Sequence, residues 1–476
     1  MTIRSEPPFP AHRTSEWIPA IDESGPVYLA ITRALETDIG QGRLRVGDRL
    51  PPQRDLAAEL GVNVGTITRA YGEARRRGLI EGEVGRGTFV RAPSQSALAR
   101  VEPESESGPI DLSINVPTAM PSPNLAQALE RLVTKDHDSP GLLEDAMAYR
   151  DPAGSPALRL AGVRWFERLG IAIEAEDLVV CAGAQHAILI ALGTIAGPGD
   201  LVLGEALTYP GFLAAARLLG LRVKGVELDA MGIIPESLEE ICRTEKPRLL
   251  YCMPSLQNPT CAQLPQDRRE QIAEIAARHD LMIVQDEIHG GLVDDAASSL
   301  ARLAPDHVMT IASLSKTLSP GIRTAFLAAP RERVSRMTEL IWSSIWMSSP
   351  LGCELALGWL EDDTADRVLS ARLREIEARQ AIAQWVLADF DVATQPTAYH
   401  LWLTLPSSWE STTATAALAE AGIKVSSADE FRVEDTPTVQ AIRISLSATR
   451  DRERLEIGLQ TIARVLGQPP TRTPFV

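Results

Sequence analysis

Lysine is scarce in this chain: Lys135, Lys224, Lys246, Lys316 and Lys424 are the five among forty-seven basic residues, and the rest are Arg. Cysteine is scarce as well. Cys181, Cys242, Cys252, Cys261 and Cys353 are odd in number, scattered and without a CxxC pair, which argues against a disulfide framework or a metal site and for a reducing cytosol. No apolar run approaches the roughly 20 residues of a membrane span, so no membrane partner is expected. The opening stretch MTIRSEPPFPAHRTSEW is polar and Pro-rich with no apolar core. It reads as no secretory peptide, and a cytoplasmic location is expected.

A basic excess is also missing, since the formal net charge is −16. The deficit is uneven. Residues 25–91 hold eleven Arg against eight carboxylates, a balance of +3, so the remainder carries −19. Such asymmetry points to separate partners for separate domains. The stretch RAPSQSALARVEPESESGPID, residues 91–111, is rich in Ser, Pro and Glu and has no apolar period, as an exposed linker would. The expected division is an extension over 1–24, a small domain over 25–91, a linker over 92–109 and a large segment over 110–476.

In the small domain, Val27, Ile31, Leu35 and Ile39 repeat every four positions, a helical stripe. LPPQRDLAAELGVNVGTITRAYGEARRRGLI then predicts a short helix burying Leu56, Ala57 and Leu60, a turn at Gly61, and a second helix burying Ile67, Ala70, Tyr71 and Ala74. LIEGEVGRGTFVRA follows with β-formers on either side of Gly85 and Gly87, a hairpin signal. Three helices and a hairpin make a winged helix-turn-helix.

The large segment alternates short apolar runs with amphipathic helical stretches. The runs are DLVVCAG, DLVLGEA, LRVKGVEL, RLLYCMP, LMIVQDE, HVMTIAS and IRTAFLAA. Seven such strands predict an α/β domain with a mainly parallel sheet, spanning about 135–360. From about 361 a long charged helix and the strands YHLWLTL, GIKVSSA and AIRISLS predict a smaller α+β domain.

Ligands of open α/β sheets bind beyond the carboxyl ends of the strands, and the reactive residue types fall there. CAGAQHA puts Gly183, Ala184 and Gln185 at a helix start, where backbone N–H groups can cradle a phosphate. MPSLQNPT places Asn258 after the fourth strand, VQDEIHG places Asp286 at the end of the fifth, and SLSK places Lys316 after the sixth. Ser313 and Ser315 flank that lysine, and Arg323 follows. Arg cannot form a Schiff base near neutral pH, whereas a Lys with a depressed pKa can.

In this order the assembly resembles the fold-type I pyridoxal-phosphate enzymes, specifically the class I/II aminotransferases, from about Ile110 to Arg464. The resemblance implies that Lys316 carries pyridoxal phosphate as a Schiff base and that Asp286 pairs with the pyridinium nitrogen, which keeps the ring an electron sink. It implies that Asn258 donates to the phenolic oxygen and that Tyr209 stacks on the ring. The phosphate falls to Gly183, Ala184, Gln185, Ser313, Ser315 and Arg323. Tyr149 matches a residue that reaches the neighbouring subunit's phosphate, hence a homodimer, and Arg443 matches a fork for an α-carboxylate. Two positions depart from the family. His289 replaces the usual Tyr and carries a side chain that titrates near neutrality; Ala184 stands where a hydroxyl residue often helps hold phosphate.

The run DRLPPQRDLAAELGVNVGTITRAYGEARRRGLIEGEVGRGTFV closely resembles the winged-helix domain of GntR-type bacterial regulators. By that likeness Arg54, Thr66 and Arg69 contact double-stranded operator DNA, and Arg86 and Gly87 form the wing tip. Arg75, Arg76 and Arg77 are phosphate-facing or solvated. Asn63–Val64 stands where many relatives carry Ser-Arg, so their base preference does not transfer. A GntR-like reader, a linker and an aminotransferase-like domain together describe the MocR subfamily of regulators. The likeness implies sensing of an amine, amino acid or B6 vitamer by aldimine exchange at Lys316, in dimers whose DNA-binding domains cross over. Two alternatives stand beside it: a working aminotransferase with a secondary DNA-binding domain, and a DNA-binding protein whose core is only a dimerisation scaffold.

Overall fold

The computed structural model describes residues 17–19, 26–40, 43–44, 48–76, 79–83, 87–90, 108–117, 125–134, 146–293, 298–434 and 436–470. It divides the chain into two units, Met1–Arg100 and Val101–Val476. Arg86, Gly85, Arg77 and most of the expected linker lie outside the described residues.

The first unit is built from helices α1 (Val27–Gly40), α2 (Gln53–Glu59) and α3 (Val64–Arg76), followed by strands β1 (Ile80–Glu83) and β2 (Gly87–Val90). The strands pair antiparallel, with Ile80 opposite Val90 and Glu83 opposite Gly87. Ile31 and Leu35 of α1, Leu56 and Ala57 of α2, and Ile67, Ala70, Tyr71 and Ala74 of α3 share one core. Leu60 falls short of its expected burial, being partly buried where α2 has just ended, and Val27, at the head of the α1 stripe, is exposed. Gly61 sits at φ 65°, a left-handed turn between α2 and α3 that glycine adopts without a Cβ penalty. Asn63 accepts a hydrogen bond from the Gly65 N–H at 2.7 Å, so the residue that departs from the relatives' Ser-Arg caps the start of α3.

In the second unit a seven-stranded sheet carries the site. Its strands are β4 (Leu178–Cys181), β5 (Leu201–Glu205), β6 (Arg222–Val226), β7 (Leu249–Cys252), β8 (Met282–Asp286), β9 (Val308–Ser313) and β10 (Ala325–Ala328). Their order across the sheet is β4-β10-β9-β8-β7-β5-β6. Only β10 runs against its neighbours, antiparallel to both β9 and β4. The other six strands therefore end on one edge. Both faces are covered: Val179, Val202, Tyr251 and Val284 point into one cluster, while Leu203, Leu250, Cys252 and Ile283 point into another. That double burial is why these runs read as continuously apolar rather than alternating. Helix α4 (Ala184–Ile195) starts at the carboxyl end of β4, and α5 (Arg331–Ile345) packs against α4 in the same cluster.

The smaller domain follows helix α6 (Thr364–Val386) and ends in α7 (Arg452–Leu466). Its sheet orders strands β11 (Asp391–Ala393), β12 (His400–Thr404), β14 (Ala441–Ser445) and β13 (Ser426–Ser427) in that sequence. An early segment of the chain joins it. Strand β3 (Ile110–Asp111) pairs in parallel with Ile423 and Lys424, and Ile110 and Leu112 lie in the same core as Ile376, Leu401, Ile442 and Leu459.

Candidate cofactor site and nucleic-acid interface

Strand direction gathers the expected residues. Gly183 follows β4, Tyr209 follows β5, Asn258 follows β7, Asp286 closes β8 and Lys316 follows β9, all on one edge of the sheet. Asp286 is buried; its carboxylate accepts from the Tyr251 hydroxyl at 2.6 Å and from the Ile288 N–H at 3.0 Å. Burial pushes that carboxyl up to about 6, while Tyr251, Ile288 and the Lys316 charge hold it down. Lys316 moves the other way. Burial, with Arg443 and Arg372 nearby, pushes its amine down to about 7, against the pull of Asp286. Lysine with this environment supplies a neutral nucleophile near physiological pH, which Arg cannot.

At the phosphate end, a Cβ on Gly183 would stand 2.3 Å from the Arg323 guanidinium, so glycine is what lets that cation lie against the start of α4. Gly183 itself has φ 86°, a second reason for the residue. The Ser315 N–H donates to Ser313 Oγ at 3.2 Å, and Ser315 Oγ is buried without a partner. Gln185 is committed elsewhere, donating to the Gly211 carbonyl at 2.7 Å. Ala184 brings only its backbone to this place. Tyr209, its hydroxyl pushed up by burial and by Asp286, lies within the electrostatic reach of Asp286, Arg443 and Arg323 together.

At the far end Arg443, on β14, donates to Asn258 Oδ1 at 2.9 Å and to the Ser113 carbonyl, and lies 4.8 Å from the Phe431 ring. Asn258 thereby keeps its amide NH2 as the donor end. His289 corrects one expectation. Its Nδ1 lies 3.3 Å from the Leu256 carbonyl, which makes Nδ1 the protonated nitrogen and leaves Nε2, buried and without a partner, as an acceptor. Burial, Lys316 and Arg443 push it down to about 3, so it is neutral rather than titrating near pH 7.

These features fit pyridoxal phosphate without reference to any relative. An arginine lies against a helix N-terminus, a buried serine hydroxyl next to Lys316 in sequence has no partner, a buried carboxylate suits a pyridinium, and that lysine has a lowered pKa. The sequence pattern of aminotransferase class I and II matches residues 107–462. The chain belongs to that family. The pattern of the bacterial regulatory proteins of the gntR family matches residues 27–90, and a GntR reader ahead of an aminotransferase-like unit is the arrangement of MocR-type regulators. This family is pyridoxal-phosphate dependent, so the aminotransferase-like unit is a cofactor-binding one.

Two relatives match this two-part chain along most of its length. The HTH-type transcriptional regulator YdeF of Bacillus subtilis is 29% identical over 94% of this chain and 96% of its own. The vitamin B6 salvage pathway transcriptional repressor PtsJ of Salmonella typhimurium is 29% identical over 87% of this chain and 92% of its own. Among solved structures, the α-aminoadipate aminotransferase LysN of Thermus thermophilus, complexed with N-(5'-phosphopyridoxyl)-L-leucine, superposes with a TM-score of 0.67. It is 25% identical and covers 76% of this chain and 92% of LysN.

The aminotransferase-like unit holds three residues that the sequence did not single out. His400 is fully buried on β12, its ring centroid 5.9 Å from that of His289. Asn115 lies 3.1 Å from His400 Nδ1 through its side-chain amide. Tyr399 donates to the Lys316 carbonyl at 2.8 Å. The one available signal was a histidine inside the apolar strand YHLWLTL. Tyr149 is not drawn into the buried group: it is 79% exposed, with its ring 5.3 Å from that of Trp346.

On the GntR reader, Arg54 and Arg69 are exposed on α2 and α3, and Thr66 is half-buried. A groove of about 460 Å³ is lined by Arg49, Gln53, Arg54, Val64, Gly87 and Thr88, among others, between the helix starts and the wing. Gly87 has φ 123°, and a Cβ there would stand 2.7 Å from Arg49 Nε. The glycine permits both the wing's backbone and the arginine packed on it. Among the described residues no helix is long and apolar enough to cross a membrane, and no cluster of side chains could hold a metal ion.

Proposed function

We propose that the chain is a transcriptional regulator whose GntR reader binds an operator and whose second unit takes pyridoxal phosphate on Lys316 to sense a small amine, amino acid or B6 vitamer. The single observation that carries this reading is the presence, in one chain with a DNA reader, of a lysine pushed down to about 7 beside a buried Asp286. When bound, the cofactor supplies an electrophilic carbonyl to which a lysine or an incoming amine can be joined. The protein's residues do the rest. Lys316 offers an unprotonated Nζ, and Asp286 offers an anion at the ring nitrogen. Ser313, Ser315 and Arg323, with the backbone at Gly183, Ala184 and Gln185, hold the phosphate, Tyr209 covers the ring, Asn258 donates its amide to the ring oxygen, and His289 presents a neutral ring with Nε2 as an acceptor. Arg443 orients a carboxylate.

Borohydride reduction of the loaded protein, followed by peptide mapping, is expected to label Lys316 alone. A label on Lys135, Lys224, Lys246 or Lys424 removes the assignment. Operator binding measured with and without candidate amines tests the regulatory half. A second reading, turnover as an aminotransferase, is favoured by Arg443 lying 2.9 Å from Asn258, where a substrate carboxylate needs its fork. Formation of a keto acid from an amino acid, with a keto-acid acceptor present, would support it.

The working unit in this reading is a cytoplasmic homodimer with crossed-over readers. Met147, Tyr149, Trp342, Ile345 and Trp346 are exposed in the single chain, at 78%, 79%, 50%, 40% and 46%. Tyr149 and Trp342 each set a tilted ring against that of Trp346. Apolar surface of this kind calls for cover, and a second copy would bring Tyr149 to its phosphate. Sedimentation of the wild type and of Trp346→Ala checks it, with the variant shifted towards monomer.

A further inference from the structure

Asp286 is a carboxylate in a place that works against its charge, since burial at the end of β8 pushes its carboxyl up to about 6. Its two oxygens have different donors. The Ile288 N–H, two residues on, reaches Oδ1 at 3.0 Å. The Tyr251 hydroxyl reaches Oδ2 at 2.6 Å from a neighbouring strand, across 35 positions of sequence. Three strands build that second contact. Tyr251 of β7 stands opposite Gly204 of β5 and Val284 of β8, so its side chain and that of Asp286 leave the sheet on one face. The Tyr251 ring is fully buried and stacks on Phe212, with centroids 4.4 Å apart and planes within 4°. A Cβ at position 204 would stand 2.6 Å from the Phe212 ring, so Gly204 makes the room in which that ring lies. The column of Gly204, Phe212 and Tyr251 carries one polar side-chain atom, and it donates to Asp286. Burial and the Asp286 charge push the Tyr251 hydroxyl well up, so it keeps its proton.

The other titratable groups about Asp286 do not take this part. Lys316 draws the carboxyl down, but its own amine is lowered to about 7. Tyr209 and Cys252 feel the Asp286 charge and are pushed up by burial, so both stay neutral. Glu205, at the end of β5, is pushed up to about 8 by burial against the Gln257 amide and the Met253 N–H, and it too is neutral near pH 7. Glu287 turns to the opposite face, where it accepts from Gln285 Nε2 at 2.5 Å. We propose that Tyr251 is a positioning residue for the cofactor: its hydroxyl holds the Asp286 carboxylate in place as an anion for the pyridinium nitrogen. A neutral carboxyl there gives the ring's cation no opposite charge, and a buried cation without one is costly. Removing the hydroxyl strips Oδ2 of its donor and favours that neutral form. The inference deepens the reading that pyridoxal phosphate binds at Lys316 with its ring nitrogen on Asp286, and rests on it.

The test titrates pyridoxal phosphate by absorbance into the full chain, wild type and Tyr251→Phe, across a range of pH. Phenylalanine keeps the ring stack and removes one oxygen. Wild-type affinity should fall as pH drops through about 6. In the variant that fall should begin at higher pH, with binding roughly tenfold or more weaker just below neutrality, the worth of a hydrogen bond to a charged group. At alkaline pH, where Asp286 is ionised in both, the two proteins should bind alike. A ring-fluorinated tyrosine at position 251, a stronger donor, should move the fall to lower pH. Pyridoxal phosphate with its ring nitrogen replaced by CH has no cation to pair, and the variant should bind it no worse than wild type does. Affinity lowered by one factor at every pH, or lowered equally for the CH analogue, shows packing alone and overturns the proposal. A variant profile that superposes on wild type overturns it too. If wild type takes up no pyridoxal phosphate, the parent reading falls, and this one with it. Should Tyr251→Phe lose its fold by circular dichroism, the fluorinated protein decides, and an unmoved midpoint there overturns the proposal.

Discussion

At the scale of single residues, the chain's economy with lysine acquires a physical meaning at Lys316. Burial pushes its amine down to about 7, so the neutral form dominates above that pH. Trapping of pyridoxal phosphate by borohydride, followed as a rate against pH, is expected to rise through about 7 and level off above it. A profile with its midpoint near the ordinary lysine value of about 10.4 would falsify the desolvated amine. Stability follows with a definite sign. The unfolded chain's lysine binds its proton more tightly, so between about 7 and the ordinary value the unfolded state holds more protons and stability rises with pH. Lys316→Met should flatten that rise. Lys316 and Asp286 were legible in the sequence because their chemistry is unusual at the end of an apolar strand. Asn115 and His400 were not. Asn115 meets Lys316 across 201 positions of sequence and His400 across 285, and no local pattern encodes such a pairing. His289 shows a different limit: its type was readable, but its protonation is set by the Leu256 carbonyl and by burial.

At the scale of elements, the reader's helices were legible because their apolar spacing matches one buried face, and the hairpin because of its glycines. Leu60 marks where periodicity overreaches, just past a helix end, where neighbours cover the side chain only in part, and Val27, opening its helix, is exposed. The sheet was legible from strand runs, but not the antiparallel β10, whose sequence is as apolar as the parallel strands beside it. Two substitutions separate charge from shape in the reader. Arg69→Ala, exposed on α3, should cost roughly 1–3 kcal/mol of operator affinity and relax sequence choice if it reads a base, and should weaken binding to all sequences alike while lowering the salt dependence if it meets a phosphate. Gly87→Ala places a Cβ 2.7 Å from Arg49 Nε at φ 123°, so it should weaken binding by distorting the wing, with Arg69 intact. Gel-shift titrations at two salt concentrations distinguish these outcomes. The absorbance of bound cofactor should be unchanged in both variants, because the substitutions lie in Met1–Arg100 and the site in Val101–Val476.

At the scale of the whole molecule, the proposed reading requires that a ligand at Lys316 change what the reader does, and it assigns that step to Arg443. It sits on the smaller domain's β14, its guanidinium on Asn258 of the larger domain at 2.9 Å. Burial pushes even this guanidinium down, to about 10, against the pull of Glu430. It stays charged at neutral pH and has reason to accept a carboxylate, because a buried cation gains most from an anion that excludes water. An amine that carries a carboxylate and is joined to the cofactor on the larger domain then ties the two domains together. A B6 vitamer without a carboxylate makes no such tie. The expected coupling is about 1–3 kcal/mol, a change of operator affinity of roughly 5–150-fold. In Arg443→Ala the borohydride label on Lys316 should persist, since the lysine and Asp286 lie on the larger domain's sheet edge. The response of DNA binding to a carboxylate-bearing amine should largely vanish, while any response to a vitamer remains. Operator titrations of wild type and Arg443→Ala, each with both kinds of ligand, supply the four measurements needed. A variant that keeps its full response to the carboxylate-bearing amine would place the coupling elsewhere than in Arg443, with the cofactor assignments untouched.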